Sequence, residues 1–268
     1  MSDGNAPAAA SKAYFIEEVR SVQHWDERLF SFSISRPPSF RFRSGEFVML
    51  GLEGEPRPIM RAYSIASPHF ADELEFLSIK VEDGPLTSRL REIERGHPIL
   101  LGRKPTGTLV LDALKPGKRL FLLATGTGLA PFLSILRDPQ AFESFDQIIL
   151  AHCVRRISEL AHADLLGGGL FDDPLVGDMA RERFTYLPAV TREPFARTAR
   201  ITEQIQSGQL FRDFGATTEH FQASEDRVMV CGSNAMIDDV AALLEARGLT
   251  EGANAAPGEY VIERAFVD

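Results

Sequence analysis

The chain has 268 residues, of which 44% are hydrophobic and 25% charged. These fractions are typical of a globular protein and exclude a disordered or fibrous chain. No apolar run approaches the ~18 residues of a membrane-spanning helix. Residues 1–12 lack the basic start and apolar core of a secretory signal, and we interpret them as a flexible tail.

The two cysteines, Cys153 and Cys231, exclude a disulfide scaffold and a four-cysteine metal or iron–sulfur site made by this chain alone. The scattered histidines show no metal-binding spacing, so we expect no metal. A reducing, cytoplasmic location fits this cysteine usage best.

The net charge of −9 is unevenly distributed. Residues 1–110 carry 14 basic and 15 acidic side chains, whereas residues 111–268 carry 15 and 23. Because neither half has a basic excess, the sequence does not favour a nucleic-acid partner. An arginine-rich stretch in the first half would repel an acidic partner less, although these side chains are equally compatible with ordinary solvated arginines. It comprises Arg36, Arg41, Arg43, Arg57 and Arg61.

The first half has the period of β-strands. Phe30, Phe32 and Ile34 alternate with serines, which is typical of a half-buried strand. Further strands are predicted at 46–52, 61–66, 74–81, 98–101 and 108–111. A helix is predicted at 85–94, because its apolar residues have helical spacing and Pro85 suits a first helical turn. Short strands bounded by glycine and proline favour a small antiparallel barrel.

The second half alternates buried strands with helices, which favours a parallel, doubly wound sheet. Strands are predicted at 119–124, 147–152, 184–190, 227–230 and 259–266. Helices are predicted at 130–136 and 233–247, the second ended by Gly248. We therefore predict domains at 13–112 and 118–268, with a linker at 115–118.

Two segments of the first half have residues suited to a phosphate-bearing, planar ligand. On a strand, Arg61 and Tyr63 share one face, where a guanidinium would bind phosphate and a phenol ring would stack. Ser64 could donate to a ring edge. An edge strand with one exposed arginine is the plainer alternative. Residues 80–88 run from a glycine turn into a helix start with two hydroxyl residues, which suits an anion but also an ordinary turn.

Residues 125–131 (TGTGLAP) follow the first buried strand of the second half. The carboxyl ends of such strands are where open α/β sheets bind ligands, so this turn is either a binding loop or a tight strand–helix connection. Arg155, Arg156, Arg192 and Arg200 follow other strands and suit a phosphate-rich nucleotide, although each alone fits a surface position. Cys231 precedes a helix, whose N-terminus is expected to lower the thiol pKa; a buried inert thiol is the alternative.

Together these segments resemble the ferredoxin–NADP reductase superfamily. The motifs are RAYS at 61–64, GPLTS at 84–88, ATGTGLAP at 124–131 and MVCGS at 229–233. RITEQIQSG at 200–208 and the ending ERAFVD look most similar to the bacterial ferredoxin/flavodoxin–NADP reductases. The resemblance covers residues 13–268. It implies an N-terminal antiparallel Greek-key β-barrel that binds FAD and a C-terminal α/β domain that binds NADP.

The resemblance also implies site residues. Arg61 would bind the FAD pyrophosphate, Tyr63 would stack on the isoalloxazine, and Ser64 would lie near flavin N5. Thr127 would lie between the two cofactors, and Cys231 and Glu263 would lie near the nicotinamide. Lys80, Val81, Thr87 and Ser88 would line FAD. Arg155, Thr191, Arg192 and Arg200 would hold NADP, with Arg192 and Arg200 at the 2′-phosphate. Further predicted cofactor contacts are Ala62, Ile79, Leu86, Arg156, Gly232 and Ser233.

The C-terminal tail departs from the plant-type pattern, which ends in an aromatic residue that covers the flavin. Here the sequence continues through Ala265 and Phe266. The similarity to the bacterial group implies that Ala265 faces the flavin ring and that Phe266 lies near the adenine.

The function implied is an FAD enzyme that moves hydride to or from NADPH and single electrons to or from ferredoxin or flavodoxin. Since the chain has no cluster cysteines, the one-electron carrier would be a separate protein. A related reductase that serves free flavin, a haem protein or an oxygenase is one alternative. A non-enzymatic nucleotide-sensing module is another. We expect a monomer that interacts with neither nucleic acid nor membrane.

Overall fold

The chain folds into an antiparallel sheet followed by a parallel sheet, as the change in the spacing of its hydrophobic residues predicts. The computed structural model describes residues 13–81, 84 and 86–264. The first sheet has six antiparallel strands and the second has five parallel strands. Within these described residues, no helix is both long and apolar enough to cross a membrane.

The six-stranded sheet has the spatial order β4-β3-β6-β1-β2-β5. Its strands are β1 Tyr14–His24, β2 Leu29–Ser35, β3 Phe47–Leu52, β4 Ile59–Ser64, β5 Glu73–Ile79 and β6 Pro98–Gly102. The sheet curls until Ile65, just after β4, pairs with Phe76 of β5. The inner face buries aromatic and branched side chains such as Phe30, Phe76 and Leu50. The predicted barrel is thus confirmed as a curled antiparallel sheet.

Three details of the first half differ from the prediction. β1 was not predicted, because Val19 is its only fully buried residue and the strand therefore lacks a clear apolar alternation. The predicted helix is reduced to α1, Thr87–Leu90, since the backbone beyond Leu90 continues as tight turns. The predicted strand at 108–111 is wrong. Leu111–Ala113 instead form a 3₁₀ turn, and Thr108 Oγ1 donates to the Ile262 carbonyl over 2.7 Å.

The parallel sheet has the order β11-β10-β7-β8-β9. Its strands are β7 Arg119–Thr125, β8 Gln147–Val154, β9 Phe184–Val190, β10 Asp226–Gly232 and β11 Tyr260–Arg264. The helices are α2 Ala130–Leu136, α3 Pro139–Ser144, α4 Ala163–Gly167, α5 Gly177–Arg183, α6 Ile201–Gln206, α7 Gln209–Asp213 and α8 Asn234–Glu245. The bounds of α2 and β9 are those predicted. The last two residues of the predicted strand 259–266 lie outside the described residues.

Separate apolar cores cover the two faces of the parallel sheet. Leu122 and Leu150 face α2, whereas Phe121 and Ile149 face α6 and α8. Helices on both faces of a parallel sheet define the doubly wound arrangement that the sequence predicts.

Polar contacts fix the two sheets relative to each other. Arg137, after α2, binds the Glu75 carboxylate of β5 at 2.7 Å, and Ser134 Oγ donates to the Ser67 carbonyl over 2.6 Å. Ser44 Oγ donates to Asp138 Oδ2 over 2.7 Å. These contacts hold the curled sheet beside α2 and α3, and a cleft remains between the sheets.

Candidate functional site

A cleft of about 420 Å³ lies where the curled sheet meets the carboxyl ends of the parallel strands. Arg28, Leu29 and Ile79 line it from the first sheet. The loops after β7, β8, β9 and β10 line it from the second sheet. Among the predicted site residues, it brings together Ile79, Thr127, Arg155, Thr191, Arg192, Arg200 and Ser233.

The glycine turn after β7 forms one side of the cleft. Gly126 has φ +53°, and a Cβ at this position would meet nothing within 4 Å. The backbone is therefore open to a ligand, in a conformation that glycine adopts without the steric cost of a side chain. Gly128 faces the protein instead, where a Cβ would lie 2.3 Å from the Cys231 carbonyl oxygen. The turn thus packs against β10 on one side and presents backbone on the other.

Arginines from two neighbouring loops line the same cleft. The Glu159 carboxylate accepts from the backbone N–H groups of Arg155 and Arg156 at 2.8 and 3.1 Å. Arg192 N–H donates to the Arg155 carbonyl over 2.9 Å. Arg155, Arg192 and Arg200 are exposed in the cleft, whereas Arg156 does not line it. The loops therefore place three cations around one space, which suits a ligand with several phosphates.

Apart from Ile79, the predicted flavin-side residues lie beside the cleft rather than in its lining. The Tyr63 hydroxyl hydrogen-bonds Ser78 Oγ at 3.1 Å, next to Ile79. The Tyr63 ring meets Phe32 and Phe76 edge to face, and burial raises the pKa of its phenol. Arg61 and Ala62 are exposed on β4. β5, which carries Ser78 and Ile79, also packs against the glycine turn, so the two regions adjoin.

The predicted FAD-lining residues that follow β5 differ in how exposed their side chains are. Lys80, Thr87 and Ser88 are half-buried, and Val81 is exposed. Thr87 Oγ1 donates to the Val81 carbonyl over 3.3 Å. The Leu86 side chain is buried in the first core, so it can meet a ligand only through its backbone.

Cys231 and Glu263 are register partners on β10 and β11. Cys231 is fully buried, and burial together with the nearby Glu263 raises its thiol pKa well above the ordinary value. Of the two expectations for Cys231, the structure supports the buried thiol, and the pKa lowered by a helix N-terminus is wrong because desolvation disfavours the thiolate. Gly232 packs against Thr125, and Ser233 N–H donates to Thr125 Oγ1 over 3.0 Å.

Glu263 is the most strongly perturbed carboxyl group of the site. Burial and the nearby Glu46 raise its pKa to about 8, although hydrogen bonds from the Ser64 hydroxyl and from the Thr108 backbone oppose the shift. Ser64 Oγ donates to Oε1 over 3.3 Å, whereas Oε2 is buried without a hydrogen-bond partner among the described residues. At neutral pH this group is a neutral acid with an unpaired oxygen. Ala265 and Phe266 lie outside the described residues.

The structure adds cleft residues that the sequence did not single out. They are Arg28, Leu29, Cys153, Val154, Glu159, Ala235, Met236 and Asp239, whereas Thr125, Gly126, Ile201 and Thr202 belong to the motifs at 124–131 and 200–208. Several of these residues come directly after a predicted strand or motif in the sequence. A prediction extended by two residues at each of these places would have included them. Arg28 had no such signal, since it lies in the β1–β2 hairpin and reaches the cleft only through the packing of the two sheets.

Both halves of the chain match known domain families. Residues 16–110 match the oxidoreductase FAD-binding domain, and residues 122–242 match the oxidoreductase NAD-binding domain. The two-sheet fold and its arginine-lined cleft therefore define an oxidoreductase with a flavin domain and a nicotinamide-nucleotide domain.

Comparison with individual proteins identifies the family within this class of oxidoreductases. The chain is 53% identical to a flavodoxin/ferredoxin–NADP reductase of Rhodobacter capsulatus, with 94% of this chain and 93% of that protein covered. It is 50% identical to a ferredoxin–NADP reductase of Pseudomonas aeruginosa, with 95% and 98% covered. The crystal structure of a ferredoxin NADP⁺ reductase from Neisseria gonorrhoeae with bound FAD and NADP superposes with a TM-score of 0.86 at 31% identity, covering 96% of this chain and all of that one. The chain belongs to the ferredoxin/flavodoxin–NADP reductase family, which confirms the resemblance found in the sequence.

Proposed function

We propose that this protein transfers electrons between NADPH and a ferredoxin or flavodoxin, with FAD as its bound cofactor. The observation that carries the proposal is the cleft, which sets three arginines at parallel strand ends against the wall formed by Arg28, Leu29 and Ile79. Nicotinamide exchanges electrons as hydride and ferredoxin exchanges them singly, and FAD supplies the conversion between the two.

The residues beside the cleft fit a flavin. Arg61 is exposed on β4, and the half-buried Tyr63 and Ser64 follow it on the same strand, so a guanidinium, an aromatic ring and a hydroxyl lie along one edge. We assign the flavin ring to the Tyr63 and Ser64 edge, and its pyrophosphate to Arg61. Lys80, Val81, Thr87 and Ser88 are assigned to the rest of the dinucleotide, together with Ala62, Ile79 and the Leu86 backbone.

The cleft fits NADP(H). Arg155, Thr191, Arg192 and Arg200 lie around it, and Gly126 leaves its backbone open to close approach. We assign Arg192 and Arg200 to the 2′-phosphate, since positive charge is what distinguishes an NADP site from an NAD site. Thr127, Cys231, Gly232 and Ser233 would lie near the nicotinamide, and Arg156 would add positive charge at the rim.

Glu263 has a distinct part in this arrangement. Its raised pKa keeps a proton on the carboxyl group at neutral pH, and Ser64 orients that group through Oε1. Oε1, bonded to Ser64, is the oxygen on the side of the assigned flavin edge, whereas Oε2 lies against Gly107, where a Cβ would come within 2.7 Å of it. A neutral acid avoids placing a charge beside an incoming hydride.

An anaerobic spectral titration tests the proposal. The purified protein is expected to be yellow, to bleach with NADPH, and then to regain its absorbance when ferredoxin or flavodoxin is added. Faster turnover on free FMN than on either carrier would assign a different acceptor. A protein that binds no FAD, or a bound flavin that saturating NADPH leaves oxidised, would overturn the proposal.

The remaining assignments concern the setting of the reaction. We propose domain boundaries at 13–112 and 118–268, a monomeric state and a cytoplasmic location. Low charge on the first half supports docking of an acidic carrier protein there. Sedimentation of the holoprotein tests the monomer.

A further inference from the structure

His152 lies directly beneath the glycine turn of the cleft. It is on β8, in register with Ala124 of β7, and its side chain is 1% exposed. Its Nε2 lies 3.2 Å from the Gly126 carbonyl oxygen, and its Nδ1 lies 3.4 Å from the Tyr186 hydroxyl. One buried ring thus connects the cleft backbone to β9.

The partners determine the protonation of this ring. A carbonyl oxygen only accepts, so Nε2 carries the proton and donates it to Gly126. Nδ1 is then the acceptor, and the Tyr186 hydroxyl donates to it. Burial lowers the pKa of His152 to about 4 and also places the pKa of the Tyr186 phenol far above neutrality. Both groups are neutral at physiological pH, and the ring is held as a single tautomer.

We propose that His152 is a positioning residue of the nucleotide cleft, whose Nε2–H holds the Gly126 carbonyl inward and keeps the 125–127 turn in its binding shape. This inference rests on the proposed function, because it concerns the same cleft. Gly126 and its two neighbours all line the cleft, whereas the Gly126 carbonyl is bonded to a residue that solvent does not reach.

The physical reason is the flexibility of the turn. Gly126 has no side chain to restrict its backbone, and Gly128 follows two residues later. Without a donor at Nε2, the turn would sample other conformations, some of which point the Gly126 oxygen at the phosphates of the ligand. A dinucleotide would then have to order the turn as it binds, which weakens affinity without changing the reacting groups.

Two variants that carry the same amide group on side chains of different length form the matched test. H152Q places an amide N–H near the position of Nε2, whereas the shorter H152N reaches only the region of Nδ1. H152N is expected to raise the NADP⁺ dissociation constant and the NADPH KM roughly five- to fifty-fold, the loss expected when a buried acceptor loses its donor. The kcat and the visible flavin spectrum are expected to change less than about twofold, since the turn positions only the nucleotide. H152Q is expected to restore most of the affinity.

Y186F is the second control, because it removes only the hydrogen bond to Nδ1. It is expected to weaken NADP⁺ binding less than H152N does. Equal affinity of H152N, H152Q and wild type would overturn the inference. A fall in kcat at unchanged KM that H152Q does not reverse would also overturn it, as would an H152Q variant no better than H152N. Failure of the wild type to bind NADP⁺ would instead refute the proposed function.

Discussion

The Ser64 hydroxyl donates a hydrogen bond to Glu263 Oε1 over 3.3 Å, and this contact joins the last residue of β4 to β11 of the other sheet. It is the point at which the predicted flavin edge meets the carboxyl ends of the parallel strands. The carboxyl group it touches is buried, and Glu46 from the first half adds a second acidic group nearby. The protonation of Glu263 is therefore coupled to the packing of the two sheets.

This coupling predicts a pH dependence of stability. The folded protein retains the Glu263 proton up to about pH 8, whereas the unfolded chain releases it near the ordinary pKa of 4.5. Between these values the native state binds more protons, so the free energy of unfolding falls as pH rises, by at most about 1.4 kcal/mol per pH unit. E263Q removes this contribution. The stability advantage of wild type over E263Q is expected to shrink from pH 4.5 to pH 8 and to be constant outside that window.

Urea unfolding at several pH values, run on both proteins, measures this difference. E53Q is the control, since Glu53 is exposed and its substitution also removes one carboxyl group. A wild-type advantage over E263Q that does not change with pH would contradict the prediction.

Gly128 gives a steric prediction. A Cβ at Gly128 would lie 2.3 Å from the Cys231 carbonyl oxygen, and this contact is with backbone that cannot rotate away. G128A is expected to lower the free energy of unfolding by about 1–3 kcal/mol and to weaken NADP⁺ binding, because the glycine turn must move away from β10. G167A is the control, since a Cβ at the exposed Gly167 meets nothing within 4 Å. Similar melting temperatures for the two variants would contradict the prediction.

The arginine assignment predicts a change in coenzyme preference. Arg192 and Arg200 line the cleft from the two ends of the loop between β9 and α6, and only NADPH offers them a 2′-phosphate. The R192A/R200A double variant is expected to raise the NADPH KM roughly a hundredfold, since each charge-assisted hydrogen bond contributes about 1.5–3 kcal/mol. The NADH KM is expected to change far less. R181A is the control, because Arg181 pairs with Asp178 on α5 outside the cleft. Equal losses for NADPH and NADH would show that these arginines do not read the 2′-phosphate.

The sequence predicts the cleft well where a local pattern marks a strand end. The arginines at 155, 192 and 200 follow predicted strands, and the parallel topology brings these ends together. Residues that depend on burial are predicted less well. The local sequence places Cys231 at a helix start, but its pKa is determined by desolvation within the sheet and by Glu263, which is 32 positions away.

The secondary structure follows the same rule, since elements marked by a local sequence pattern are predicted and elements without one are not. β7, α2 and β9 are predicted because apolar runs and glycine or proline signals mark them. β1 has mostly half-buried or exposed residues and gives no such pattern, although it pairs with both β2 and β6. α4 and α5 are short and were not predicted. The contact between His152 and Gly126 joins residues 26 positions apart, so no local motif reveals it.

The last prediction concerns the alignment of the two sheets. Arg137 donates from Nη1 and Nη2 to both Glu75 carboxylate oxygens, at 3.2 and 2.7 Å, and from Nη2 to the Ala66 carbonyl. Its Nε also donates to the Leu133 carbonyl over 3.1 Å, so one guanidinium joins α2 to β5. β5 carries Ile79, which lines the cleft opposite the nucleotide loops. The position of this wall therefore depends on Arg137.

R137A is expected to lower the free energy of unfolding by only about 1 kcal/mol, because the ion pair is partly exposed. The rate at which NADPH bleaches the flavin is expected to fall roughly tenfold or more, because hydride transfer is sensitive to misplacement on the order of 1 Å. NADP⁺ affinity is expected to change little, since the assigned nucleotide contacts lie on the parallel sheet. Stopped-flow absorbance and equilibrium titration measure the two quantities separately. R212A, which breaks the 2.9 Å pair with Glu219 within the second half, is the control and is expected to leave the bleaching rate unchanged. If R137A and R212A bleach at the same rate, the bidentate ion pair does not align the two sheets.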